Sequence, residues 1–395
     1  MDFIVEKKDC CGCGVCHEVC PKNAISMKTD ECGYIYASID NSLCIDCGKC
    51  KSVCPVLVNN YEVAFEKTAY AATSLDESTE KSTSGGIFAL FAKKILAEGG
   101  KVFGTEMNEN FDVQVIGIDQ ESDLYKLQGS KYVQSNMISA FKEIKETLKD
   151  RKVLFCGTPC QVSALKNYVG KENKNLLLVD LVCHGVPNNQ MFKDEISALQ
   201  KKYNGELIEF KFRDKKYGQT SVGSLGFSDG KNQKLNSIDS VYYSLFYAKA
   251  IFRDSCHDCK YKNMKRPGDI TICDYWGVEK EEPEFYKECQ EKCIVAISGI
   301  IINTKNGEEF FKESIDKLFY KESTVEKIQK GNGNLVRPSN RGADCEAVRE
   351  IYKESGWDGV SRYYRKKYRF KRLARKIYGI CPSFLKKLAR KVLGK

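Results

Sequence analysis

Two identical runs of four cysteines constrain the N-terminal part of this chain more than any other feature. The runs comprise Cys10, Cys13, Cys16 and Cys20, then Cys44, Cys47, Cys50 and Cys54. Each is followed by proline and spells C-x2-C-x2-C-x3-C-P, which can supply the four converging thiolates that a [4Fe-4S] cube needs. Structural zinc sites and disulfide frameworks use other spacings, so the pattern predicts two iron–sulfur cubes.

The fourth cysteine of each run is expected to reach the neighbouring cube, because only the first three can wrap one cube as a tight loop. The predicted ligand sets are Cys10, Cys13, Cys16 and Cys54 on one cube, with Cys44, Cys47, Cys50 and Cys20 on the other. Residues 1–60 therefore predict a bacterial-type ferredoxin domain that transfers electrons. Cys11 and Cys32 lie outside the spacing and are interpreted as small buried residues.

Length and cysteine usage indicate a multidomain cytoplasmic protein. A chain of 395 residues can form two or three domains. Its first residues show no apolar leader segment, and no window approaches the ~18 apolar residues of a membrane-spanning helix. The 20 cysteines are therefore expected to be reduced and to bind metal rather than to form disulfides.

The net charge of +10 is concentrated at the C-terminus. Fourteen basic residues and no acidic residue lie between Arg362 and Lys395, which leaves −4 for residues 1–361. Two short helices are predicted at 362–378 and 383–395, the second with an apolar face opposite a basic face. This segment is predicted to lie on an anionic membrane surface, with docking to a partner protein or to the chain's own core as the alternative. Nucleic-acid binding is the least favoured interpretation.

Beyond residue 68, strands alternate with helices. Strands are predicted at 69–74, 101–107, 113–118, 153–156 and 176–182, and a hairpin at 207–228. This alternation is typical of an α/β core, in which the chemistry lies at the carboxyl ends of the strands. Cys160 and Cys183 follow two such strands, and Cys256 and Cys259 form a CxxC pair, so these four thiolates are candidates for a third [4Fe-4S] cluster, with buried structural cysteines as the alternative interpretation of Cys160 and Cys183.

Several motifs in this core resemble those of a known family, the beta subunits of coenzyme F420 hydrogenase/dehydrogenase. They are G-T-P-C-Q at 157–161, D-L-V-C-H-G-V-P at 180–187, R-D-K at 213–215 and C-x2-C…R-P-G-D-I-T-I-C-D-Y-W-G at 256–277, with S-G-G at 84–86 and G-S-K-Y at 129–132. The resemblance implies an FAD-binding α/β core, divided into an N-terminal-like region at 68–150 and a C-terminal-like region at 151–335, before a basic tail at 336–395. It also favours Cys160, Cys183, Cys256 and Cys259 as third-cluster ligands, although Cys156 or Cys273 could replace one of them.

The same resemblance suggests the flavin-binding residues. These are Ser84, Gly85 and Gly86, at the start of a helix whose free N–H groups suit a pyrophosphate, together with Ser130, Lys131 and Tyr132. His184 follows a predicted ligand and is the candidate for proton transfer or for tuning the cluster.

These observations predict an iron–sulfur flavoprotein oxidoreductase. It would exchange single electrons with a redox partner such as a ferredoxin, and a hydride with coenzyme F420 or an organic substrate. One alternative is a non-catalytic electron-transfer subunit of a larger complex. A second is a membrane-associated reductase of glycan or cofactor biosynthesis.

Overall fold

The structure is a computed structural model that describes residues 4–58, 65–77, 81–170, 173–370 and 372–374. Within them the chain forms a small N-terminal module and a larger mixed α/β core, as the alternating pattern predicts. Part of the boundary that the sequence suggests between the two lies at 59–64, outside the described residues.

The N-terminal module is a pseudo-symmetric pair of cysteine loops beside one β-hairpin. Strands β1 (Ile25–Thr29) and β2 (Ile35–Ile39) pair antiparallel. Each cysteine run contains a one-turn helix, α1 (Val15–Glu18) and α2 (Lys49–Ser52). These helices begin after Gly14 and Gly48, whose φ angles of 79° and 71° lie in the left-handed region that favours glycine.

The core is built on an eight-stranded mixed sheet with the order β13-β3-β12-β11-β7-β6-β4-β5. Its strands are β3 (Ala69–Ser74), β4 (Lys101–Met107), β5 (Val113–Ile118), β6 (Val153–Gly157), β7 (Leu176–Leu181), β11 (Ile270–Asp274), β12 (Ser298–Ile302) and β13 (Leu318–Ser323). Strands β4, β6, β7 and β11 run parallel, and the other pairs are antiparallel. Every residue of β6 is buried, as expected for a parallel strand covered on both faces.

Helices cover both faces of this sheet, and a second sheet lies beside it. The helices up to the second sheet are α3 (Ile87–Ala97), α4 (Leu124–Leu127), α5 (Ile138–Thr147), α6 (Pro159–Val169) and α7 (Asn189–Tyr203). The second sheet contains β8 (Leu207–Lys211), β9 (Gly223–Phe227) and β10 (Asn232–Leu235), all antiparallel. The predicted hairpin at 207–228 is therefore extended by a third strand, because the Asp229-Gly230 turn returns the chain once more.

The remaining helices follow the second sheet in the chain. They are α8 (Val241–Tyr247), α9 (Val278–Glu281), α10 (Pro283–Glu291), α11 (Lys305–Lys312), α12 (Val325–Gly331) and α13 (Cys345–Lys367). Strands β12 and β13 were not predicted. They add antiparallel to β3, which places the start of the core between two strands that come more than 200 residues later.

The described part of the C-terminal segment is attached to the core. Helix α13 kinks at Gly356 and buries Val348, Trp357, Val360 and Tyr364 against the aromatic cluster around Phe212 and Tyr242. The predicted helix at 383–395 lies outside the described residues, and its expected membrane binding stays a prediction. None of the helices that the structure describes is long and apolar enough to cross a membrane.

Candidate flavin and cluster site

One cavity of about 480 Å³ lies at the carboxyl ends of β6, β7 and β11. Its volume is within the range of pockets that bind cofactors. The lining includes five of the six residues predicted to bind flavin, namely Ser84, Gly86, Ser130, Lys131 and Tyr132. Cys160, Cys183 and His184 line the same cavity. Groups that lie far apart in the sequence therefore face one space.

The sixth predicted residue, Gly85, has a different place. A Cβ at Gly85 would come within 2.6 Å of the Ala72 carbonyl oxygen, so this glycine permits close packing against β3. Its amide donates to Ser298 Oγ at 3.0 Å, and Ser84 Oγ is 2.8 Å from the same oxygen. The Ser-Gly-Gly turn is thus tied to β12, which fixes where α3 begins.

The start of α3 offers free amide groups to the cavity. Its N-cap is Gly86, which has no side chain to accept from them, and Ile87 also lines the cavity. The first N–H groups of a helix lack partners within the helix and carry the positive end of its dipole. This arrangement suits a phosphate group.

Lys131 is a partly buried lysine at the wall of this cavity. Its Nζ donates to the carbonyl oxygens of Gln128 at 2.7 Å and Lys126 at 3.0 Å. Burial lowers the pKa of Lys131 to about 7, with Glu106 and Cys156 acting weakly in the opposite direction. An anion bound nearby would restore the charged form, so Lys131 and the α3 terminus together fit the pyrophosphate of FAD.

An ion pair stiffens the opposite wall. Arg213 Nη1 and Nη2 lie 2.6 and 3.1 Å from the two oxygens of Asp274, and the guanidinium lies over the Trp276 ring at 5.5 Å. Burial opposes the charge on Arg213, but Asp274 raises its pKa above the usual value. Arg213 and Asp274 occur within the motifs quoted above, although their pairing could not be derived from spacing.

The four cysteines predicted to hold the third cluster come from three separate segments. Cys160 lies in the first turn of α6, where Thr158 and Gln161 form a capping box, and Cys183 follows β7. Cys256 and Cys259 lie in the loop before β11. Burial raises the pKa of the Cys256 thiol, and nearby Cys183, Cys259 and Cys160 raise it further. The four side chains are therefore neighbours.

A second buried ion pair brings these segments together. Arg266 donates from Nε to Asp180 Oδ1 at 3.0 Å and from Nη1 to the Tyr261 carbonyl at 2.9 Å. Asp180 lies near the end of β7 and also accepts from the Gly268 amide at 2.9 Å. The pair therefore holds the end of β7, with Cys183, against the Cys256–Cys259 loop.

The two alternative ligands occupy other surroundings. Cys156 and Cys273 line the cavity from β6 and β11. Burial raises the pKa of Cys156 to about 12, with Asp180 as its main charged neighbour, whereas the Cys273 thiol donates to the Gly299 carbonyl at 3.6 Å. Both thiols therefore have neighbours other than the four predicted ligands. This favours Cys160, Cys183, Cys256 and Cys259 as the ligands of the third cluster.

His184 lies beside the cavity with its backbone fixed. Its carbonyl accepts from Lys262 Nζ at 2.5 Å and from Ser339 Oγ at 2.6 Å. Burial, followed by the charge of Lys262, lowers the pKa of the imidazole. A neutral imidazole at the cavity wall is suited to accept or donate a proton, so the catalytic role of His184 stays a prediction that the geometry permits.

Within the N-terminal module, the cysteines have the neighbours that crossed ligation requires. Burial and the nearby Cys10 and Cys54 raise the pKa of Cys16 to about 12. Burial also raises the pKa of Cys50, whose thiol neighbours are Cys47 and Cys20. In the described chain, no group of three or more His, Cys, Asp or Glu side chains is arranged to hold a single metal ion. The individual cluster ligands stay a prediction.

Cys11 has a position that the spacing did not suggest. The sequence favours a small buried residue, yet Cys11 lines the cavity, and the neighbouring Cys13 raises the pKa of its thiol while Cys160 lowers it. It thus lies between a predicted ligand of the first cube and a predicted ligand of the third. Cys32 is buried beside Tyr34 and Tyr36, as expected for a packing residue.

Comparison with known proteins defines the class. Residues 150–328 match the family described as the C terminus of "Coenzyme F420 hydrogenase/dehydrogenase, beta subunit", and residues 9–58 match the "4Fe-4S dicluster domain". The resemblance inferred from the motifs is confirmed, because residues 150–328 match this family of beta subunits and residues 9–58 match a dicluster domain. The chain is an iron–sulfur protein of electron transfer.

Two particular proteins are similar to this chain. The first is the F subunit of "F(420)H(2) dehydrogenase" from Methanosarcina mazei, 24% identical over 376 residues, which cover 90% of this chain and 96% of the relative. The second is the structure described as "Xenon derivatization of the F420-reducing [NiFe] hydrogenase complex from Methanosarcina barkeri". It is 18% identical with a TM-score of 0.46 and covers 79% of this chain and 94% of that one, a likeness too weak to support an argument.

Proposed function

We propose that the chain is an iron–sulfur flavoprotein that connects a one-electron carrier to a hydride acceptor or donor. The ferredoxin domain would receive or deliver single electrons, and the cavity would hold FAD. FAD supplies the conversion between single electrons and a hydride when bound. The hydride partner would be coenzyme F420 or an organic substrate.

The observation that carries this proposal is the composition of the cavity wall. It combines the uncapped start of α3 and the partly buried Lys131, which suit a pyrophosphate, with Cys160 and Cys183 of the predicted third cluster. Cys11 and Cys13 of the ferredoxin domain reach the same wall. The flavin would therefore lie beside cysteines of both the third cluster and the ferredoxin domain.

The predicted clusters would lie in a defined order. Cys44 and Cys47 of the second run are exposed, and the first run packs against the core. Cys11 has both Cys13 and Cys160 as neighbours. An external carrier would therefore reach the second cube, and electrons would pass by the first and third cubes to the cavity. His184 would hold or release the proton that accompanies hydride transfer.

Turnover by the isolated chain tests this function. Anaerobic holoprotein is mixed with reduced F420 and a one-electron acceptor, and oxidation of F420 is followed by absorbance. We expect steady turnover that stops when Cys160 is replaced by alanine. Full iron and flavin content without turnover in either direction, with F420 or a reduced ferredoxin, would contradict autonomous catalysis.

A second candidate function is that of an electron-transfer subunit that needs a partner chain for turnover. The name of the Methanosarcina mazei relative, which describes one subunit of a dehydrogenase, favours it. In that case the isolated chain would accept electrons into its clusters but would not turn over, and a partner polypeptide would copurify with it.

A further inference from the structure

Arg253 is a fully buried cation that reaches from the core into the first cysteine loop. Its exposed fraction is 0%. Nη1 donates to the Cys10 carbonyl at 3.0 Å, Nη2 to the Ile35 carbonyl at 2.6 Å and Nε to Gln134 Oε1 at 3.0 Å. All three acceptors are neutral, so these hydrogen bonds satisfy the guanidinium without balancing its charge.

Arg253 also lacks a carboxylate partner in the described part of the chain. None of the ion pairs found there involves it, and the adjacent Asp254 pairs with Arg341 and Arg349 instead. The guanidinium lies over the ring of Tyr36 at 4.5 Å, which disperses the charge but does not neutralise it. A buried charge without a counter-ion is strongly destabilising, so a counter-charge is expected from another source.

The first predicted cube is the nearest candidate for that counter-charge. Arg253 bonds the backbone of its ligand Cys10, and a Cβ placed on Gly12 would lie 2.6 Å from Nη2. Four thiolates around four irons leave a net negative charge, and the net charge and surroundings of a cluster set its reduction potential. A fixed cation stabilises the reduced cluster more than the oxidised one, because reduction adds negative charge.

The second loop has no equivalent cation among the described residues. A Cβ on Gly48 would meet nothing within 4 Å, and Lys49 and Lys51 in this loop are exposed, where water and salt screen their charges. Two cysteine runs with the same spacing therefore have different electrostatic surroundings.

We propose that Arg253 is a positioning residue that raises the reduction potential of the first cube above that of the second, so that electrons entering at the exposed loop are drawn inward. This inference rests on the ferredoxin part of the proposed function and needs neither the flavin nor turnover. The hydrogen bonds to Cys10 and Ile35 fix the distance between cation and loop.

Anaerobic redox titration of the full-length holoprotein, followed by electron paramagnetic resonance, tests the proposal. In Arg253→Gln, which removes the charge but keeps an amide donor, one cluster signal is expected to shift to lower potential. At the midpoint potential of the wild type, the ratio of reduced to oxidised cluster should fall about tenfold. This corresponds to a decrease of about 59 mV in the midpoint potential of a one-electron couple. Arg253→Lys, which keeps the charge, is expected to restore most of that shift.

Arg349→Gln is the matched control. Its guanidinium lies over the Tyr34 ring at 5.5 Å, the same distance as Arg253 from that ring, but Asp254 already balances it. In this control, we expect the ratio of reduced to oxidised cluster at the wild-type midpoint to change by less than about threefold for every cluster. Unchanged potentials in Arg253→Gln with full iron content, or an equal shift in the control, would overturn the proposal.

Loss of a cube from both Arg253 variants would also overturn it, because the side chain would then only hold the loop in place. A protein that contains eight irons and no flavin would contradict the flavin site but leave this titration fully interpretable.

Discussion

The two cysteine loops of the ferredoxin domain have the same spacing but opposite surroundings. A Cβ on Gly14 would lie 2.5 Å from Ile138 Cγ1, whereas one on the equivalent Gly48 would meet nothing within 4 Å. The first loop is held by Gln134, which donates to the Cys11 carbonyl at 2.9 Å. The second presents Leu43 and Ile45 to solvent with 50% and 57% of their surface exposed. In the proposed function, the first loop would be the inner end of the electron route and the second loop the outer end.

Removal of the outer cube should have the largest effect. Cys44→Ala should abolish electron exchange with a protein carrier, because that carrier would lose its entry point. Reduction of the remaining centres by a hydride donor should persist. Stopped-flow absorbance with each donor measures both reactions, and undiminished exchange with the carrier would show that the outer loop is not the entry.

The matched substitutions Gly14→Ala and Gly48→Ala should lower the stability of the protein by different amounts, with the larger loss at Gly14. Both place a side chain at a positive φ angle, which costs about 1–2 kcal/mol. Only Gly14→Ala also overlaps Ile138, which adds about 1–3 kcal/mol. Anaerobic thermal unfolding of the holoproteins measures the difference, and Ile138→Ala should relieve part of the extra loss. Equal losses at both glycines would contradict the packing of the inner loop against the core.

Flavin binding at the inner end should depend on pH through Lys131. Burial holds its pKa at about 7 in the free protein, so the cation that would face the pyrophosphate is lost as pH rises above 7. FAD affinity should therefore fall by up to about tenfold per pH unit in that range. Lys131→Met should bind FAD weakly and without this dependence. If FAD affinity still falls steeply with pH in Lys131→Met, the dependence must arise from another titrating group.

The smallest effect is expected at the exposed apolar side chains of the outer loop. Ile45→Ser should raise the KM for a protein carrier a few-fold at unchanged kcat, as expected when one contact of an interface is removed. Ile208→Ser, at an isoleucine on β8 with 60% exposure, is the matched control and should change neither constant. Equal effects of both substitutions would remove the outer loop as the docking surface.

Much of this architecture could be predicted because it depends on local patterns. The cysteine spacing determines the ferredoxin domain, and the apolar strands β6 and β7 lead into Cys160 and Cys183 as the α/β pattern requires. Arg253, by contrast, gives no local signal, since its hydrogen-bond partners are more than a hundred residues away. The same holds for β12 and β13, whose pairing with β3 depends on long-range contacts.

The motifs of the core were informative in a different way. Asp180 and Arg266 occur in the motifs that carry the family resemblance, yet their role as a buried ion pair between β7 and the Cys256–Cys259 loop emerges only from the structure. Gly85 was predicted to face the flavin but permits close packing against β3 instead. The spacing of motifs in the sequence therefore indicates which residues have a role, whereas their contacts must be taken from the structure.

Cofactor analysis of the anaerobically purified protein tests whether the chain holds a third cluster and FAD beside its two ferredoxin cubes. Iron, sulfide and flavin are measured in the wild type and in Cys160→Ala. We expect about twelve irons per chain, in three cubes of four, together with one FAD, and about eight irons in the variant. About eight irons and no flavin in the wild type would contradict both the third cluster and the flavin site.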